Sequence, residues 1–100
     1  MPRPTAPAAP PPVAIAGEER VGVVTHYYSH LAVAIIRMER GNLREGDTVH
    51  IKGHTSDFRQ RVESMEIDHV HVMQVGAKQE FGMRVWEHAR EHDVVYKVAP

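Results

Sequence analysis

Hydrophobic and polar positions alternate in short runs along most of this chain. The clearest run is Thr48 to Lys52, where Val49 and Ile51 point one way and His50 and Lys52 the other, the period of a half-buried strand. Phe58, Gln60 and Val62 share one face, with Arg59, Arg61 and Glu63 on the other. Val21, Val23 and Thr25 alternate with Gly22, Val24 and His26 in a β-branched run that favours a strand. Leu31 to Ile36 is apolar throughout, which predicts a strand covered on both sides. Val70 and Val72 alternate with His69 and His71, Phe81, Met83 and Val85 form a further apolar face, and Val94 to Val98 closes the chain. Met65 and Ile67 lie on the opposite parity from Phe58 and Val62. One extra residue, a β-bulge near Glu63-Ser64, would return all four to a common core.

Turn residues separate these runs. The stretch Arg37 to Ile51 reads as the connection between two strands, with Gly41 and Gly46 supplying backbone freedom and Asp47 able to hydrogen-bond its own nearby backbone. Gly53-His54-Thr55-Ser56-Asp57 and Gly76-Ala77-Lys78 are further turns, while Trp86 to His92 is long enough only for a single helical turn or a loop. Six or seven short strands at this spacing predict an all-β domain over 18–98, a small closed antiparallel barrel whose closure removes exposed edges. Residues 1–17 hold six of the seven prolines, with alanines between them, and predict a disordered or polyproline-like tail. Pro4-Thr5-Ala6-Pro7 and Pro7-Ala8-Ala9-Pro10 match the proline-rich ligand spacing, which arises easily in any such tail.

Composition narrows the chemistry. With 12 Lys and Arg against 13 Asp and Glu, the net charge of -1 gives no general sign of a nucleic-acid or membrane partner. The chain has no cysteine, which excludes disulfides, thiolate metal sites and cysteine nucleophiles. No run reaches the length of a membrane span, so a cytoplasmic protein without membrane contact is expected.

The run Arg37-Met38-Glu39-Arg40-Gly41-x-Leu43-Arg44-x-Gly46-Asp47-x-Val49-x-Ile51 resembles the second-domain β-barrel of translational GTPases such as elongation factor Tu. Val62-Glu63-Ser64-Met65, Gly76, Phe81-Gly82-Met83-Arg84-Val85 and Asp93-Val94-Val95-Tyr96 are similar to that barrel's second half, so the resemblance spans about residues 20–98. It gives the turn residues Arg37, Glu39, Arg40, Gly41, Gly46 and Asp47 a structural role. The chain also looks like stand-alone versions of the barrel and like the barrel appended to some collagenase-like peptidases. No Gly-x-x-x-x-Gly-Lys-Ser/Thr loop is present, so the resemblance implies no GTPase activity, no bound nucleotide and no other cofactor. Ser29-His30-Leu31 stands where such factors often have Gly-Arg-Gly. Glu91-His92-Asp93 stands where glycine usually precedes the aspartate, a difference that bears on the turn.

Three kinds of site are open. Lys52, Arg59, Arg61 and Arg84, with Tyr27 or Tyr28, could form an exterior that docks on RNA or a ribonucleoprotein, although Glu63, Glu66 and Glu80 lie among them and exterior charges serve solubility. Tyr27, Tyr28 and Trp86 could instead form an apolar patch for a protein partner, in an accessory subunit of a peptidase or modifying enzyme. Among eight histidines, His69-x-His71 could offer two imidazoles to zinc if a third ligand converged. The plainer reading is that strand histidines, alternating with Val49, Ile51, Val70 and Val72, lie outside in solvent. Ser64 and His69 lack a third residue to orient the imidazole, so no enzyme is expected.

Overall fold

The computed structural model describes residues 17–99, so the expected proline-rich tail lies, apart from Gly17, outside the described residues. Ten strands follow one another: β1 (Glu18–Tyr28), β2 (Val33–Met38), β3 (Asn42–Arg44), β4 (Thr48–Lys52), β5 (Asp57–Arg61), β6 (Glu66–Ile67), β7 (Val70–His71), β8 (Gln74–Gly76), β9 (Glu80–Arg84) and β10 (Val94–Val98). There is no helix among the described residues, and Trp86 to His92 is an irregular loop.

Eight strands form one antiparallel sheet in the order β5-β4-β10-β1-β2-β9-β6-β7, and β3 pairs with β8 in a separate ribbon. The expected closed barrel is therefore corrected: among the described residues no ladder joins the outer strands β5 and β7. The sheet nevertheless curves round one core. Gln60 on β5 is buried, its Nε2 donates to the Arg84 carbonyl at the end of β9 (3.0 Å), and its Oε1 accepts from the Trp86 amide (2.7 Å). A side chain here bridges two strands that the ladder keeps five places apart. The ribbon contributes Leu43 and Val75, both fully buried.

Bulges set the phase of the core. β1 slips register against β10 between Arg20 and Gly22, and against β2 between Val24 and His26. Val21 and Val24 are consequently buried while Val23 and Thr25 are only partly so, not the simple alternation of the sequence pattern. Gly22 cannot carry a side chain there, because a Cβ would stand 2.6 Å from the Arg37 carbonyl oxygen. The bulge expected at Glu63-Ser64 takes another form. β5 has already ended at Arg61, and Ser64 adopts φ 60°, a left-handed residue that turns both Val62 and Met65 inward. Gly41 and Gly46, at φ 70° and 98°, sit at the turns flanking β3, where the Arg44 amide donates to the Asp47 carboxylate at 2.9 Å.

Two sequence expectations invert on the outer face of the sheet. β2 is not covered on both sides: Ala34, Ile36 and Met38 enter the core, whereas Val33 and Ile35 are only half-buried. His50 does point away from Val49 and Ile51, yet it is 2% exposed rather than solvated. Near β7 the expected alternation also fails. His69 belongs to the Asp68-His69 turn, where both residues have positive φ, and Val70 is left exposed.

Candidate docking groove

The outward side chains of β2 are left open by what stands beside them. Ile35 pairs with Gly82 on β9, and Gly82 pairs in turn with Glu66 on β6. Gly82 has no side chain to fill the space between its neighbours. A Cβ placed there would meet Ile35 Cδ1 at 3.4 Å and Val33 Cγ1 at 3.5 Å, ordinary contact distances. The result is a cleft of about 360 Å³ lined by Tyr28, Leu31, Val33, Ile35, Glu66, Asp68, His69, Glu80, Phe81 and Gly82. Val33, Glu66 and Gly82 also line a second cleft of about 170 Å³ that runs on to Ser64 and Arg84, so the two form one furrow across β2, β9 and β6.

Local conformation shapes both sides of the furrow. The β1–β2 turn closes with the Leu31 amide on the Tyr28 carbonyl (3.1 Å) and with Ala32 at φ 56°, and it lifts Leu31 to 55% exposure. Tyr28, 41% exposed, stacks against His26 with ring centroids 4.6 Å apart, and His26 in turn faces Glu91. On the opposite side the left-handed pair Asp68-His69 folds β6 back on β7. Three carboxylates line the furrow: Glu66, Asp68 and Glu80. Glu80 accepts from the Thr25 hydroxyl at 3.1 Å and stands across the ladder from Arg37. Glu66 and Asp68 have no ion-pair partner among the described residues.

A second outer patch contrasts with this open one. His50 Nδ1 lies 2.8 Å from Glu18 Oε1 and its Nε2 lies 2.5 Å from Asp57 Oδ1, while Arg59 Nη2 holds the other Glu18 oxygen at 2.9 Å. Only the imidazolium form of His50 can donate to both carboxylates at once. The Glu18 side chain is 3% exposed. Burial opposes its ionisation, but the hydrogen bonds and charges of His50 and Arg59 outweigh that and hold Glu18 below the ordinary carboxylate range. The His50 hydrogen bond, with the charges of His50, Lys52 and Arg59, likewise lowers Asp57 against a smaller desolvation effect. Here polar groups are consumed by one another.

The residues singled out in the sequence fall in separate places, although Gln60 Nε2 brings the Arg61 and Arg84 carbonyls together at 3.2 and 3.0 Å. Lys52, Arg59 and Arg61 lie on β4 and β5, Arg84 lies at the end of β9, and Tyr27 and Tyr28 lie at the end of β1. Arg59 is already engaged by Glu18. Tyr27 packs against the core and on His88 (centroids 4.5 Å apart), and exposed Trp86 directs its Nε1 to Glu63 (3.5 Å), so Tyr28 alone of the three aromatics lines the furrow. His71 Nε2 is 2.9 Å from Glu45 Oε2, and His69 faces the furrow, so the two imidazoles do not share a strand face. Among the described residues no group of three metal-ligating side chains converges, and no hydrogen bond joins Ser64 to His69. Sequence reasoning missed Val33, Ile35, Glu66, Asp68 and Gly82. The signal was present in the doubly apolar β2 run beside a glycine-bearing strand.

Geometry of this kind defines an all-β domain with an open apolar furrow. No family model and no curated protein matches the chain. Among solved structures it is similar to the C-terminal domain of a Geobacillus thermoleovorans protein assigned to the U32 peptidases, with TM-score 0.73 and 20% identity over 79% of this chain and 91% of that one. The selenomethionine variant of that domain gives TM-score 0.72 and 21% identity, covering 77% and 96%. At such identity the likeness concerns the fold. It corrects the assignment to the elongation factor Tu second domain and leaves the translation and RNA-binding reading, which came with that assignment, without support: the matching fold is that of the C-terminal domain of a protein assigned to the U32 peptidases. Of the sequence resemblances, the one to barrels appended to peptidases is the one these structures favour.

Proposed function

We propose that this domain is a protein-interaction module, accessory to a peptidase or another modifying enzyme, with no catalytic activity of its own. The observation that carries the reading is the furrow. Tyr28, Leu31, Val33 and Ile35 present apolar surface on the outer face of a sheet whose other outer patch is sealed by charge pairing. Leaving such surface in water forgoes about 25 cal/mol for each Å² that could be covered, and concave apolar surface with a polar rim is characteristic of docking sites. The fold match to a domain that a peptidase assigned to U32 carries at its C-terminus supports a role beside an enzyme.

The test is site-specific photocrosslinking in cells of the native host, with benzoylphenylalanine placed at Leu31 or, as a control, at Thr48. Thr48 pairs with Val98 and Arg61 near the start of β1, whereas Leu31 follows its end. Discrete protein adducts from position 31 that persist after nuclease treatment, and that are absent from position 48, are expected. Adducts lost with nuclease, or the same adducts from both positions, would overturn the reading.

A further inference from the structure

The furrow's lining says what kind of segment it accepts. We infer that the occupant is an extended segment of a partner protein that places a lysine or arginine between aliphatic side chains. This rests on the docking reading above and adds a chemical class to it.

The apolar part of the argument is geometric. Val33 and Ile35 are spaced two residues apart on β2, and Gly82 leaves the floor between β2 and β6 bare. An extended chain offers side chains on one side at the same two-residue period, so successive apolar residues can seat beside Ile35 and Val33. The two clefts joined through Val33, Glu66 and Gly82 form a furrow and not a round cavity, which suits an extended backbone rather than a compact small molecule.

The charge part is independent. The larger cleft is lined by Glu66, Asp68 and Glu80 and by no lysine or arginine. Glu80 is engaged with Thr25 and faces Arg37 across the ladder, whereas Glu66 and Asp68 are unpaired among the described residues. Two unpaired carboxylates beside apolar surface favour a cation whose methylene stem lies along that surface and whose charge reaches the rim. Arg84 lines only the second cleft, so the cation belongs at the Glu66–Asp68 end. An acidic or phosphorylated segment would meet like charge there.

The test is a ¹⁵N-correlation titration of the full chain with acetyl-Leu-Lys-Leu-Arg-Leu-amide, beside acetyl-Leu-Glu-Leu-Glu-Leu-amide as control, at pH 7.5 and low salt. The basic peptide is expected to shift amides of Tyr28–Ile35, Glu66–His69 and Glu80–Gly82 and to bind at least fivefold more tightly than the acidic one. Glu66→Gln combined with Asp68→Asn is expected to remove that preference without changing the melting temperature, and 0.5 M salt to reduce it by screening. Equal binding of both peptides, unchanged affinity in the double variant, or shifts outside the furrow would overturn the inference. Leu31 crosslinks that survive in the Glu66→Gln/Asp68→Asn protein would overturn the charge assignment alone and leave the docking role standing.

Discussion

The two outer patches of this sheet resolve their composition in opposite ways. At β4 and β5 a histidine that alternates with core residues is drawn out of water because Glu18 and Asp57 complete its hydrogen bonds while Arg59 holds the second Glu18 oxygen. At β2 and β9 two aliphatic residues stay only partly buried because the strand beside them carries Gly82, whose missing side chain leaves their outer surface open. The difference teaches that alternation assigns a side chain to a face, while the neighbours across the ladder decide whether that face is wet. A buried polar group requires partners. An apolar group without cover marks a place where another molecule can supply it.

Breaking the sealed patch should have the largest effect. His50→Ala leaves the buried Glu18 carboxylate with Arg59 alone, and a stability loss of about 3 kcal/mol is expected in urea denaturation. A loss within experimental error would mean that Glu18 rehydrates freely. The same patch predicts a pH dependence. Glu18 and Asp57 titrate below their ordinary values of 4.5 and 3.8 when folded, so their stabilisation is complete above those values and is lost as the pH falls through the folded ones. Glu18→Gln should therefore melt below wild type at pH 6, and the gap should narrow by pH 3. A gap that widens in acid would show the sign to be wrong.

The open patch predicts the converse behaviour. Gly82→Val sets a Cβ at ordinary contact distance from Ile35 and Val33 and replaces a glycine that weakens a strand interior, so stability should rise by about 0.5–1 kcal/mol. A fall in melting temperature would place Gly82 under a steric demand. The smallest effect is expected outside both patches. His92 has φ 76°, the conformation that glycine takes without strain, and His92→Gly should raise stability by about 0.5 kcal/mol. Calorimetry showing a decrease would mean that the His92 side chain contributes more than its backbone strain costs.

Much of the fold was legible in the alternation. β4, β5 and β9 sit where Val49 and Ile51, Phe58 and Gln60, and Phe81 and Met83 placed apolar faces. Closure was not legible, because whether β5 joins β7 depends on curvature accumulated over eight strands. A buried glutamine bridging β5 to the end of β9 has no sequence signature. The bulges in β1 were missed for a related reason: Val21 to Val24 is apolar enough to hide a slip of one residue. The furrow was partly visible. Tyr28 stands out in the sequence, but the apolar run Leu31 to Ile36 reads as a doubly covered strand, since sequence shows what a side chain prefers and not whether its neighbour across the ladder is a glycine. Glu66 reads in the sequence as one exterior charge among several and Asp68 carries no signal at all, because the left-handed turn at Asp68-His69 beside the furrow is made without glycine.

The central claim, that the furrow is where this domain meets its partner, is tested most directly by the Gly82→Val protein carrying the crosslinker at Leu31. Melting temperature and crosslinked adducts should be measured on the same preparation. A protein as stable as wild type or more so, with the Leu31 adducts lost, is the predicted result. Unchanged adducts with a valine on the furrow floor would contradict the account.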